Sequence, residues 1–194
     1  EKAPSTQTET SVSDFFEQTS TESEEASEEL TVIFDENTFG ENPFRSLLAD
    51  ISVYGGWNGV DERNMGVINR LLTREDFLDV IPTDASFKWS AKPIIHQDNT
   101  YYELFLLERN AELTGDVITD ARVVIGQGYD PATAGQPLVS MSMNRQGSDE
   151  WSLITGANIE KRIAIVLDDR VFSAPVVRSQ IMGGNSSIEG MGSM

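Results

Sequence analysis

An α+β fold is predicted: a mixed or antiparallel sheet with helices packed on one face, preceded by a disordered acidic tail. Three observations predict it. The first 30 residues are rich in Ser, Thr and Glu and sparse in apolar side chains. Residues 42–82 carry apolar positions three and four apart, the spacing of a helix face. From residue 86 the pattern changes to alternation and short apolar runs broken by turn residues, as strands require. With 39% of 194 residues apolar, one ordinary domain can bury a core.

The tail "EKAPSTQTETSVSDFFEQTSTESEEASEE" holds too little apolar surface to offset the entropy of ordering it. Residues 1–30 are therefore expected to be a disordered linker ahead of one domain, 31–194. Order begins at "NPFRSLLADI", where Asn42 is an N-cap, Pro43 takes the first helical position, and Phe44, Leu47 and Leu48 share a face. "VYGGWNGV" is a glycine-rich loop carrying Tyr54 and Trp57. Asp61 caps a helix with Met65, Ile68, Leu71 and Leu72 at helical spacing. Thr73 caps a short helix that ends before Pro82. Residues 42–82 are thus expected to be mainly helical, and 86–190 mainly strands.

In the second half, "SFKWSAKPI" and "YYELFLLER" read as a hairpin about "HQDN", and "ARVVIGQ" as a third strand. "PLVSMSMN" is a strand with one wet face, because Val139, Met141 and Met143 alternate with Ser140 and Ser142. A helix near 148–158 is capped by Ser148, with Asp149 and Glu150 complementing its dipole. "RIAIVL" and "RVFSAPVV" are the next strands. The dipeptide between them, Asp168-Asp169, reads as a two-residue hairpin turn, since Asp tolerates positive φ better than most residues. A catalytic carboxylate pair would need burial or mutual repulsion to split the two pKa values, and adjacent turn residues are solvated and point apart.

Composition removes several function classes. The formal charge is −18, and residues 1–41 hold twelve Asp or Glu against one Lys, the remainder twenty against thirteen Lys or Arg. A phosphate backbone is repelled, so nucleic acid is not an expected partner. The absence of cysteine removes disulfides, thiolate nucleophiles and cysteine metal sites. The one histidine, His96, falls in the predicted turn. "GQGYDP" lacks the third glycine and following helix of a dinucleotide site, and no phosphate loop, H-E-x-x-H or G-x-S-x-G occurs. No catalytic residue, cofactor or metal ligand is predicted, and the chain is not expected to be an enzyme. No apolar run reaches the ~18–20 residues of a membrane span. The chain opens without an initiator Met and is expected to be part of a longer protein. Tyr54 and Trp57, aromatics with little reason to be buried in a glycine-rich loop, are candidates to grip a partner.

The C-terminal third carries more specific signals: "ELTGDVITDARV", then "GQPLVSMSMNRQGSDEWSLITGANIEKRIAIVLDDRVFSAPVVRSQIMGGNSSIEG". These resemble the head of the first large periplasmic domain of the SecD/SecDF protein-export family. The resemblance rests on Leu113-Thr114-Gly115, Ala121, Trp151 to Thr155, Ala164-Ile165-Val166-Leu167-Asp168, Ser173-Ala174-Pro175, Gly183-Gly184 and Ile188-Glu189-Gly190. Asp169 departs from the frequent turn Gly or Asn, Glu160 from a Gly before Lys161, and Glu189 from the usual Thr or Ser. Residues 42–82 with "SFKWSAKPI" are similar to the long form of the domain in fused SecDF proteins of Bacteroidetes-type bacteria.

The resemblance implies a periplasmic head of an inner-membrane protein, with the proton-linked acidic residues in membrane helices outside this chain. It implies no enzymatic activity and no cofactor. The head would transiently hold unfolded preprotein and swing on a hinge biased by the proton-motive force, with SecF and the SecYEG translocon as partners through the parent protein. A scaffold that contacts other translocon subunits or a periplasmic chaperone is the alternative. Promiscuous holding calls for an apolar groove and an available strand edge. Tyr54, Trp57, Phe172 and Met182 are the expected polypeptide contacts.

Overall fold

The computed structural model describes residues 42–56, 58–126 and 134–188. The expected linker 1–30 and Trp57 lie outside these residues. The described part is α+β and mostly sheet, with antiparallel strands in two main sheets and a hairpin.

The larger sheet is built on β5 (Asn99–Glu108). It pairs on one edge with β2 (Gly59–Asp61), which pairs in turn with β1 (Leu48–Ala49). On the other edge it takes β3 (Ala85–Trp89) and β4 (Ile94–His96) in succession. The run "YYELFLL" carries apolar side chains on both faces, with Leu104 6% and Leu106 52% exposed. Helices α1 (Pro43–Ser46), α2 (Met65–Leu72) and α3 (Glu75–Leu78) supply one cover. Phe44, Phe77 and Phe87 meet there with ring centroids 5.1 to 6.4 Å apart, and the Trp89 indole N–H donates to Asn69 at 2.9 Å. Val60, Val67 and Ile68 form the buried centre.

The opposite face of β3 and β5 presents Lys88 and Phe105, a matched pair in the register. Here lies the hairpin of β8 (Ile165–Leu167) and β9 (Arg170–Ser173). Asp169 in its turn pairs with Lys88, Val171 bridges to Ser90, and the Ala91 N–H donates to the Val171 carbonyl at 2.7 Å. The expected turn is present: φ is 47° at Asp168 and 64° at Asp169. Positive values at both central residues make a type I′ turn, whose twist matches that of the strands it joins. Gln97-Asp98, with φ 48° and 64°, makes the same turn between β4 and β5.

The smaller sheet has the order β10-β7-β6, from β6 (Ile118–Ile125), β7 (Pro137–Met143) and β10 (Asn185–Ile188). Helix α4 (Arg145–Ala157) follows β7 directly. It closes on the sheet at Gly147, where an added Cβ would lie 2.5 Å from Val117 Cβ. The segment before β10 is fastened along α4: Gln180 donates to the Ser152 carbonyl, and the Ile181 N–H donates to Thr155 Oγ1 at 3.0 Å.

Three local expectations are corrected. Helix α4 starts one turn before Ser148, because the Asn144 side chain accepts the Gly147 N–H at 2.8 Å and Ser148 donates its N–H to the Asn144 carbonyl. Thr73 does not cap α3; its hydroxyl donates to the Arg70 carbonyl and closes α2, leaving Arg74 at the cap position. Leu48 does not continue the first helix, which stops after one turn so that Leu48 and Ala49 can pair with Val60 and Gly59.

Candidate functional site

Of the four expected contact residues, Tyr54, Phe172 and Met182 lie among the described residues, on three separate segments of the chain. Tyr54 is half-buried and tied into the fold. Its hydroxyl accepts the Ala174 N–H at 2.9 Å, and its ring meets Phe105 edge-on at 6.0 Å. The Arg162 guanidinium lies 4.6 Å over the ring and donates to the carbonyls of Tyr54 and Ala174, each at 3.1 Å. A cation over an aromatic face at an exposed site contributes about 0.5–1 kcal/mol. Tyr54 therefore clamps the glycine-rich loop to the end of β9.

Phe172 lies on the same β9, 37% exposed, while its neighbour Val171 is only 2% exposed and faces inward. The register shift between Ile165 and Val166 leaves Phe172 without an opposite number on β8, as at a bulge. Val166 and Leu167 expose apolar surface on the same hairpin. Met182 is 77% exposed in the segment between β9 and β10, next to Ile181, whose N–H is held by Thr155 of α4.

Carboxylates serve the frame. Asp61, buried at the end of β2, accepts the Arg63 N–H at 3.0 Å and two guanidinium bonds at 2.7 and 2.6 Å. The Arg63 guanidinium holds its carboxyl below the ordinary range against the opposing effect of burial. Glu103, buried on β5, accepts from the Ser52 hydroxyl. Among the described residues, no group of three or more His, Asp or Glu side chains is placed to hold a metal ion. Nor does any helix among them have the length and apolarity to cross a membrane.

The feature that residue-by-residue reading missed is the margin of the smaller sheet. In register, Met141–Ala121, Val139–Val123 and Pro137–Ile125 share one face, and Ser142–Asp120, Ser140–Arg122 and Leu138–Val124 the other. The Val139–Val123 row is closed at the β10 side by Ile188, 6% exposed, and the Met141–Ala121 row meets Ser186 there. The face is open at β6, where Val123 is 70% and Ile125 57% exposed. The alternation in "PLVSMSMN" was the signal; it marks a row whose far end needs a neighbour.

The described residues form an α+β arrangement with exposed apolar side chains on β6, on the β8–β9 hairpin and at Met182. Residues 92–194 match the family described as SecDF, P1 head subdomain. Protein translocase subunit SecD of Rhodothermus marinus is 36% identical over 181 residues, covering 89% of this chain and 28% of that protein. Protein translocase subunit SecDF of Thermus thermophilus is 44% identical over 82 residues, 42% of this chain and 10% of that protein. A crystal structure of SecDF, a translocon-associated membrane protein from Thermus thermophilus, shares 28% identity over 62% of this chain and 19% of that chain, with a TM-score of 0.38. On the sequence matches, the chain belongs to the SecD/SecDF family as its P1 head subdomain. It spans less than a third of the length of the curated relatives it matches.

Proposed function

We propose that this chain is the non-enzymatic periplasmic head of an accessory subunit of protein export in the inner membrane. It transiently holds unfolded preprotein as it emerges, and swings with the part of the parent protein that carries proton flow. SecF and the SecYEG translocon are partners through that parent. The single observation that supports holding is the distribution of exposed apolar side chains, with Phe172 and Leu167 on the hairpin, Val123 and Ile125 on β6, and Met182 beside α4. Several shallow apolar contacts bind many sequences weakly, which a carrier that must release each segment requires. Trp57, Phe172 and Met182 are contacts in this reading, and Tyr54 clamps its loop to the end of β9.

The test is a photo-crosslinking residue at position 57, 123, 172 or 182 of the full-length membrane protein, carrying a stalled export substrate. Adducts with the substrate are expected. Adducts only with other translocon subunits or a chaperone would replace the reading with a scaffold.

A further inference from the structure

The pairing of β6 with β7 fixes which backbone groups are left over. Just past the strand, the Gly126 N–H donates to the Gln136 carbonyl at 2.9 Å, and on β7 the Met143 N–H turns the other way, to Gly184, at 2.8 Å. Bonded and non-bonded pairs alternate along an antiparallel ladder. Asp120, Arg122 and Val124 therefore turn their N–H and C=O toward β7, and Ala121, Val123 and Ile125 turn theirs outward. Among the described residues no strand pairs with that outward row. The same three residues carry the exposed ends of the apolar rows.

Exposed edges are ordinarily blunted by Pro, Lys, bulges or inward-pointing charge. β6 has neither Pro nor Lys, and its register shift falls at the start, between Ile118 and Asp120. Its two charges, Asp120 and Arg122, lie 3.6 Å apart on the other face of the sheet. Among the described residues, the edge from Ala121 to Ile125 is left as an open template. The margin at β10 differs: it is four residues long, and its outward positions are Asn185 and Ser187.

We propose that the β6 edge takes an extended polypeptide, neutral or cationic and apolar at alternate positions, as a fourth strand. This rests on the holding reading and specifies its mode. Backbone hydrogen bonds at Ala121, Val123 and Ile125 read no side chain, while the apolar row continues onto the guest's alternate residues. Net charge disfavours a second copy, since each chain carries −18 and two copies repel as wholes, although the charges of β6 itself, Asp120 and Arg122, balance. The contact is small beside the ~1,200 Å² of a stable interface, so the guest leaves readily.

The experiment titrates the full 194-residue chain with a fluorescent, Lys-flanked peptide of alternating Val and Thr. A second peptide carries the same side chains but is N-methylated at every other residue. Weakening of about tenfold on N-methylation is expected, because the edge bonds are lost while apolar contacts remain. Val123→Pro, which deletes an outward donor without touching the ladder to β7, is expected to weaken the unmodified peptide alike. Val123→Lys serves if the proline variant fails to fold, as judged by circular dichroism. Equal binding of both peptides, or indifference to Val123→Pro and Val123→Lys, overturns strand addition and leaves polypeptide holding intact. Failure of both peptides and of a reduced, carboxymethylated protein to bind overturns the holding reading itself. Wild-type dimers in sedimentation that Val123→Lys dissolves, with no peptide bound, assign the edge to a second copy and overturn the proposal.

Discussion

The two sheets solve the same problem in opposite ways. The larger sheet packs helices α1 to α3 on one face and is joined on the other side by the β8–β9 hairpin through Lys88, Ser90 and Ala91, burying Val60 and Leu104 although Leu106 stays 52% exposed. The smaller sheet, with β10 packed at one margin, ends at β6 in exposed valine and isoleucine. The first arrangement is a frame. The second has exposed apolar side chains and, among the described residues, an unpaired ladder, and the proposed strand addition rests on that difference.

The largest effect that separates the two belongs to Ile68, fully buried under the larger sheet. Ile68→Ala is expected to cost about 2–5 kcal/mol in urea unfolding. Ile125→Ala, on the exposed margin, is expected to stay within about 0.5 kcal/mol. Comparable losses at both positions would mean that the margin of the small sheet is also core.

Gly147→Ala comes next. A methyl group at that position would lie 2.5 Å from Val117 Cβ. Forcing α4 off the sheet is expected to cost about 1–3 kcal/mol, although Ala exceeds Gly as a helix former by about 1 kcal/mol. A stabilised variant would show that α4 is free to move.

Asp61 tests the frame by acid. Its carboxyl is held below the ordinary value of 3.8, chiefly by its hydrogen bond from Arg63. A depressed folded pKa means stability that is complete above the unfolded value and lost as pH falls through the folded one. The stability gap between wild type and Asp61→Asn is therefore expected to be widest near neutral pH and to close as pH drops below about 4. A gap that widens with acid would contradict the assignment. Loss of the cap altogether, in Asp61→Ala, is expected to cost about 0.5–2 kcal/mol.

The smallest effects are at the two type I′ turns. Left-handed backbone costs an L-residue roughly 1–2 kcal/mol, partly offset in glycine by about 0.5–1 kcal/mol of added chain entropy. Asp98→Gly is expected to raise the melting temperature slightly. Asp169→Gly is expected to raise it less, because Asp169 also pairs with Lys88. The reverse ranking would show that this exposed pair contributes nothing.

Much of the frame was legible in the sequence because its signals are local. Two adjacent aspartates between apolar runs specify a turn, and Asn42 before Pro43 specifies a helix start, with the Asn42 side chain accepting the Arg45 N–H at 3.0 Å. The start of α4 was misplaced because Asn144 and Ser148 are both good caps, and the choice between them is made by packing of Gly147 on Val117. Tyr54 looked exposed because the groups that bury it, Arg162 and Ala174, lie 108 and 120 residues away in the chain. The open edge was illegible for the same reason. Whether β6 is central or marginal depends on β10 returning to the far side of β7, a crossover that no local pattern encodes.

The most direct measurement is residue-resolved amide hydrogen exchange on the chain with and without the alternating Val/Thr peptide. The amides of Ala121, Val123 and Ile125 should exchange freely alone and become protected on binding, while Arg122 and Val124 are protected throughout. Protection that appears instead at the hairpin around Phe172, or nowhere on β6, would contradict the account.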